Sequence, residues 1–158
     1  MADAVNTAVA SPFEFSARLL LAIVLGAAIG VERQLRQHEA GLKTNALVAA
    51  GSSIFAAMAC EFGTPDRIIA QIVTGIGFLG AGIIMRDGLH VRGLNTAATL
   101  WCSAAIGAVA GAGKLMMSTI AATVVLIANI GLREIAEAID ERHARAEAAG
   151  KSSGTKGQ

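Results

Sequence analysis

The chain has 158 residues, of which 54% are hydrophobic and 16% charged, with a mean hydropathy of +0.58 and a formal net charge of +1. Soluble domains carry about a quarter charged residues, so this composition excludes an ordinary water-soluble fold and points to a chain dissolved in lipid. The near-neutral charge, the 4% aromatic content and the absence of Tyr also leave no electrostatic or stacking surface for nucleic acid.

The N-terminal stretch lacks the basic segment and cleavage pattern of a secretory signal, so the first apolar segment is expected to be retained. Five charge-free apolar runs follow, over residues 19–31, 44–60, 68–85, 93–113 and 115–132. A helix needs about 20 residues to cross the hydrocarbon core, and the last four runs meet that length. The first does so only if Phe13, Phe15 and Ala17 extend it outward, with Arg18 snorkelling to the surface. The expected fold is therefore all-α and polytopic, with five transmembrane helices.

Between the first two runs lies a charged connection that includes Glu32, Arg33, Arg36, His38, Glu39 and Lys43. Pro65 breaks the chain after the second run. Arg86-Asp87-Gly88 follows the third, and the Asp-Gly pair predicts a tight turn of type I′. Gly113-Lys114 separates the fourth run from the fifth. Residues 1–132 read as a transmembrane domain and 133–158 as a tail. That tail is Ala- and Glu-rich and marginally helical to Ala149, with Ile135 and Ile139 one turn apart, then flexible from Gly150.

Ten of the 13 basic residues (Arg33, Arg36, Lys43, Arg86, Arg92, Arg133, Arg142, Arg145, Lys151 and Lys156) fall on one side of this arrangement. Arg18, Arg67 and Lys114 fall on the other. The positive-inside rule puts the N-terminus outside and the C-terminus in the cytoplasm. Gly41-Leu42-Lys43-Thr44-Asn45-Ala46 resembles Gly93-Leu94-Asn95-Thr96-Ala97-Ala98, and Leu25-Gly26-Ala27 resembles Leu79-Gly80-Ala81. Helices 1 and 2 thus read as a parallel repeat of helices 3 and 4, with a two-residue difference in the joining loop. Chance similarity in Ala/Gly-rich sequence competes with that reading.

Gly75-Ile76-Gly77-Phe78-Leu79-Gly80 matches a dinucleotide-binding pattern, but it lies inside a spanning run with no strand before it. Close helix packing is the better reading, extended by Gly82. Gly26 with Gly30, and Gly107 with Gly111, have the GxxxG spacing that brings helices together in lipid. These contacts are expected within the chain, and the length of the seam leaves a homo-oligomer open. Asn95 and Thr96 suit a helix N-cap, which a partner-facing role beside Arg86, Asp87 and Arg92 does not contradict. Gln71, Thr74, Thr99, Ser103 and Asn129 are polar within spans, where they line a path or bond across helices. No ionisable residue lies deep in a span, which argues against a proton relay. Cys60 and Cys102 form no disulfide framework, and His38, His90 and His143 have no zinc spacing. Asp87 alone is weak evidence for a Mg²⁺ site, and Glu32 and Glu39 join it only if the loops converge. No metal, cofactor or enzymatic constellation is expected.

Gly26-Ala-Ala-Ile-Gly-Val-Glu-Arg33, Ala40-Gly-Leu-Lys-Thr44, Gln71-Ile-Val-Thr-Gly-Ile-Gly-Phe-Leu-Gly-Ala-Gly82 and Val91-Arg-Gly-Leu-Asn-Thr-Ala-Ala-Thr-Leu-Trp-Cys-Ser-Ala-Ala-Ile-Gly107 together resemble the MgtC/SapB family of bacterial membrane proteins. The resemblance implies a multi-pass domain in the cytoplasmic (inner) membrane, an association with growth at low Mg²⁺, and a role in virulence. One member is linked to restraint of the F-type ATP synthase. The family's important Asn and Cys fall on Asn95 and Cys102. Its acidic turn residue, often Glu, falls on Asp87, and a charged pair after the first helix falls on Glu32 and Arg33. The short stretch after residue 132 implies a SapB-like form without the family's cytosolic domain.

Two readings of function follow. One is a non-enzymatic regulator that binds another membrane protein, such as the F-type ATP synthase or a P-type ATPase, through Asn95, Cys102, Asp87, Thr96, Glu32, Arg33 and Arg92. The other is a small cation transporter or channel. The absence of charge within the spans favours the first.

Overall fold

The computed structural model describes residues 11–87 and 90–154. Helix α1 (Pro12–Leu35) is 24 residues long because its start is fixed well before the charge-free run. Ser11 Oγ accepts from the Glu14 N–H, Glu14 accepts from the Ser11 N–H, and Pro12 takes the first helical position. This reciprocal box satisfies donors that the helix itself cannot. The first helix therefore reaches spanning length through the outward extension that the sequence required.

The helix ends on Gln37, whose φ of 57° is left-handed. The Gln37 N–H donates to Gln34 O and the His38 N–H to Arg33 O, the paired bonds of a Schellman motif. Helices α2 (Leu42–Glu61) and α4 (Leu94–Gly111) close the same way, with Gly63 and Gly113 at the left-handed position. Helix α3 (Pro65–Ile83) starts on Pro65. Among the described residues, these helices and α5 (Leu115–Gly154) include five segments long and apolar enough to cross a membrane.

The link from α3 to α4 is a short antiparallel hairpin, β1 (Met85–Asp87) with β2 (His90–Arg92), in an otherwise helical chain. Asp87 pairs with His90, so the two-residue connection is Gly88-Leu89, which lies outside the described residues. The turn is thus displaced one position from the expected Asp87-Gly88 centre, and Asp87 closes a strand. The N-cap of α4 is Gly93, at φ +87°, rather than Asn95 or Thr96. A side chain at Gly93 would overlap the Ile83 carbonyl, so a capping residue with a Cβ has no room there.

By contacts the chain divides into two units, Met1–Thr123 and Val124–Gln158. In the first unit the interior is built from small side chains. Large apolar residues such as Leu20, Leu47, Phe55 and Phe78 face outward, as suits a lipid solvent, while Ala22, Ala49, Ala56, Ala59, Ser53 and Ser103 are buried. Helices α2 and α4 lie side by side in the same direction. Asn45 meets Ser103, Ala49 meets Gly107, and Ser53 meets Gly111, a constant offset of 58 positions. A methyl group on Gly107 or Gly111 would overlap the Ala49 or Ser53 carbonyl oxygen. Helix α1 reaches the same α2 residues: a Cβ at Gly26 would stand 2.7 Å from both Ala49 Cβ and Asn45 O, and one at Gly30 would stand 2.6 Å from Leu42 Cα.

Helix α3 is peripheral, with only Ile76 and Gly80 buried. A Cβ on Gly80 would meet Ala97 Cβ at 3.5 Å, ordinary contact, whereas Gly75, Gly77 and Gly82 face open space among the described residues. Within the chain, the packing expected of that glycine run reaches Gly80 alone. In the second unit, α5 continues without a break past Leu132 to Gly154. The expected boundary at 132/133 falls inside a helix, and residues 150–154 are helical where a flexible segment was predicted. Alanines at 136, 138, 144, 146, 148 and 149 supply the propensity.

Two glycines of one sequence class should therefore respond in opposite ways. Gly107→Ala should cost at least the upper end of the usual overpacking penalty, about 3 kcal/mol. Gly77→Ala should be neutral or stabilising by up to about 1 kcal/mol. Thermal unfolding of the two variants in detergent separates them.

Candidate functional site

The end of α1 and the starts of α2 and α4 meet at one membrane-surface end of the first unit. Three sets of polar contacts lock them. Gln34 Oε1 accepts from the Leu42 N–H at 3.1 Å, capping α2 from α1. Asn45 is fully buried and spends its whole amide: Nδ2 donates to Ala40 O at 2.9 Å and Gly41 O at 3.0 Å, and Oδ1 accepts from Ser103 Oγ at 2.8 Å. Arg33, only 6% exposed, donates from a terminal nitrogen to Thr96 Oγ1 at 3.2 Å, joining α1 to the first turn of α4.

Arg33 is a buried cation whose Nε has no acceptor among the described residues. The adjacent carboxylate does not cap it directly. Glu32 Oε1 instead pairs with Arg36 Nε at 2.5 Å, and Glu32 Oε2 is buried without a partner. A buried charge held by a neutral hydroxyl is costly to strand, so Thr96 fixes where α4 begins relative to α1. The arrangement brings together Arg33 with Thr96 and Glu32 with Arg36.

The other expected residues lie apart from this lock. Asn95 is exposed, and among the described residues its side chain makes no hydrogen bond, although its carbonyl accepts from Thr99 Oγ1 at 2.8 Å. Cys102 is half-buried and seven positions on, two turns along the same side of α4. Arg92 is exposed at the end of β2, and the Asp87 side chain lies outside the description. Among the described residues no group of three or more His, Cys, Asp or Glu could hold a metal ion.

Of the polar residues within spans, Thr74 and Thr99 hydroxyls donate back to their own helix, and Ser103 crosses to α2. Ser118 Oγ also crosses, to Ile106 O of α4. Asn45, which the sequence offers only as part of the repeat, is the buried centre of this polar lock. Its signal was the series Asn45, Ala49, Ser53, with the same fourfold spacing as Ser103, Gly107, Gly111.

The MgtC family model matches residues 19–138. The chain is 55% identical over 138 residues to protein MgtC of Salmonella paratyphi A, covering 86% of this chain and 60% of that protein. It is 48% identical over 122 residues to protein MgtC of Brucella abortus (75% of this chain, 51% of that protein). To an uncharacterised protein of Synechocystis it is 49% identical over 128 residues (79% and 55%). The chain thus spans little more than half the length of these relatives. No solved structure matches the chain.

If the Arg33–Thr96 bond sets the register of α1 and α4, Thr96→Val should destabilise the protein by about 1–3 kcal/mol. Ser103→Ala should cost nearer the average of about 0.6 kcal/mol for such bonds in membranes, and Asn95→Ala should leave stability unchanged. Unfolding temperatures in detergent give the order.

Proposed function

The chain belongs to the MgtC family, and on that premise we propose that it is a non-enzymatic regulator acting on another membrane protein during adaptation to low Mg²⁺. It is a multi-pass protein of the inner membrane. The observation that carries the proposal is the division of labour along α4. Thr96, Ser103, Gly107 and Gly111 are consumed by the chain's own packing. Asn95 and Cys102, on a different side, are left over, one exposed and one half-buried. An unused polar side chain at a membrane surface, with a thiol two turns deeper on the same side of the helix, suits contact with a second membrane protein. Asp87, Arg92, Glu32 and Arg33 belong to the same end of the molecule. The family resemblance suggests the F-type ATP synthase or a P-type ATPase as the partner class.

The proposed orientation puts this end in the cytoplasm. It follows from the basic-residue split, and the fold is compatible with it. Arg18 at the opposite end donates to Gly111 O at 3.4 Å and lies against Gly113, beside Lys114. The proposed repeat also has packing support. Gly26 lies over Asn45 and Ala49, and Gly80, 54 positions later, lies over Ala97, which is 52 positions after Asn45. A cation path is less well supported, since the in-span threonine hydroxyls are turned back onto their own helices.

Affinity recovery from native membranes should retrieve a partner with the wild type and lose most of it with Asn95→Thr. A deletion strain should regain growth at low Mg²⁺ from the wild-type gene but not from Asn95→Thr or Cys102→Ala. Equal recovery and equal growth with both variants would remove the site from the reading. Mg²⁺ or monovalent-cation flux through the pure protein in liposomes would replace the reading with transport.

A further inference from the structure

Helices α2 and α3 do not close on each other along their length. Between them lies a cavity of about 700 Å³, walled by Leu47, Val48, Phe55, Ile72, Ile76 and Leu79, with Ser52 and Gln71 toward one end and Lys43 and Thr44 at the other. Gly51 and Gly75 keep it open, since a Cβ on either would meet nothing within 4 Å among the described residues. In an aqueous protein such a groove would be a solvent-exposed apolar patch, but here it opens to the bilayer.

Its length and its charged end identify what fills it. From Lys43 to Phe55 is twelve positions, about 18 Å at about 1.5 Å per residue. That is little more than half of the roughly 30 Å hydrocarbon core, so the groove is one leaflet deep. Over that same length a helix about 10 Å across occupies on the order of 1,400 Å³, about twice the volume of the groove. One lipid acyl chain matches the length. At the Lys43 end, Gly41 offers no side chain to cap α2, and Gln34 takes only the Leu42 N–H. The N–H groups of Lys43 and Thr44 therefore lie uncapped at the positive end of α2, beside the Lys43 ammonium and the Thr44 hydroxyl. Among the described residues no acidic side chain lines the groove. These donors are what a phosphodiester requires.

We propose that the α2–α3 groove holds one acyl chain of an anionic phospholipid of the cytoplasmic leaflet, its phosphate at Lys43, Thr44 and the N-terminus of α2. The leaflet assignment rests on the orientation proposed above; the site itself does not depend on any protein partner. The lipid then forms part of the wall that α3 lacks within the chain.

The test uses the full chain, reconstituted with equal amounts of phosphatidylglycerol and phosphatidylcholine of matched acyl chains and released for native mass spectrometry. The wild type should retain phosphatidylglycerol over phosphatidylcholine by about five-fold, equivalent to about 1 kcal/mol for one basic residue at the lipid surface. Lys43→Ala should retain lipid but lose the preference. Gly51→Leu with Gly75→Leu should lose retained lipid of both kinds while unfolding at the wild-type temperature or above, because each leucine enters the open groove from a position where a Cβ meets nothing within 4 Å among the described residues. Equal retention of the two lipids by the wild type, a preference that survives Lys43→Ala, or undiminished lipid on the double leucine variant would each overturn the proposal. So would a wild-type dimer that the leucine variant dissociates with no change in lipid, since the groove would then belong to a second copy. Failure of the partner recovery described above leaves these readouts unaffected.

Discussion

In lipid, two helices gain nothing by hiding apolar side chains from one another's solvent, so association depends on how closely their backbones approach. Here that approach occurs where Gly107 and Gly111 of α4 lie against the Ala49 and Ser53 carbonyls of α2. The rest of the first unit is arranged around this contact. Helix α1 packs on α2 through Gly26 and Gly30, helix α3 leans on α4 near Ala97, and α5 begins by bonding Ser118 to the Ile106 carbonyl. The buried Asn45–Ser103 bond continues the same line of contact by one more turn and converts a close approach into a fixed register.

That register has a consequence for the surface that faces the cytoplasm in the proposed orientation. Asn45 pins the α1–α2 loop through Ala40 and Gly41, and Arg33 pins α4 through Thr96. Asn95 is therefore displayed from a turn that cannot shift without breaking a bond to a buried cation. The lock and the displayed residues are neighbours in sequence but have opposite roles. Residues 95 and 96 share a motif, yet Thr96 faces the fold and Asn95 faces away from it. A helix rotates by about 100° per residue, which is why adjacent residues part company so sharply.

Much of this was legible in the chain. The spanning segments announce themselves because backbone groups in hydrocarbon must bond within a helix and side chains there must be apolar. The length of α1 was harder to see, since its ends carry Glu14, Arg18, Glu32 and Arg33 and the charge-free run covers only its middle. The capping box at Ser11 and Glu14 contained that information in four letters. Glycine was ambiguous. Gly107 and Gly77 carry the same spacing logic, but whether a missing Cβ is filled by a neighbour depends on which face of the helix meets another, and α3 turns Gly77 outward. The displaced turn at Asp87 has a similar origin. Gly93 must adopt a left-handed conformation under the Ile83 carbonyl, and that long-range constraint fixes where the strands begin. In the proposed repeat, Glu32 and Arg33 correspond to Arg86 and Asp87, yet the first pair is helical and the second lies in β1.

The pairing of α2 with α4, rather than with its successor, also dictates an order of events during synthesis. Helices α1 and α2 can join as soon as both have left the translocation machinery. Asn45 and Ala49 then already rest on Gly26, but the α4 contacts of Asn45, Ala49 and Ser53 wait until Ser103, Gly107 and Gly111, 58 positions further on, have been made. For that interval Asn45 is a polar side chain awaiting Ser103 in a lipid environment. Its amide donors are already satisfied by the carbonyls of Ala40 and Gly41, so only one acceptor is left waiting. Helix α3, which crosses the membrane in the meantime, contributes little to that face and need not be displaced when α4 arrives. The α1–α2 hairpin is in this sense a half-built receptor for the chain's own fourth helix.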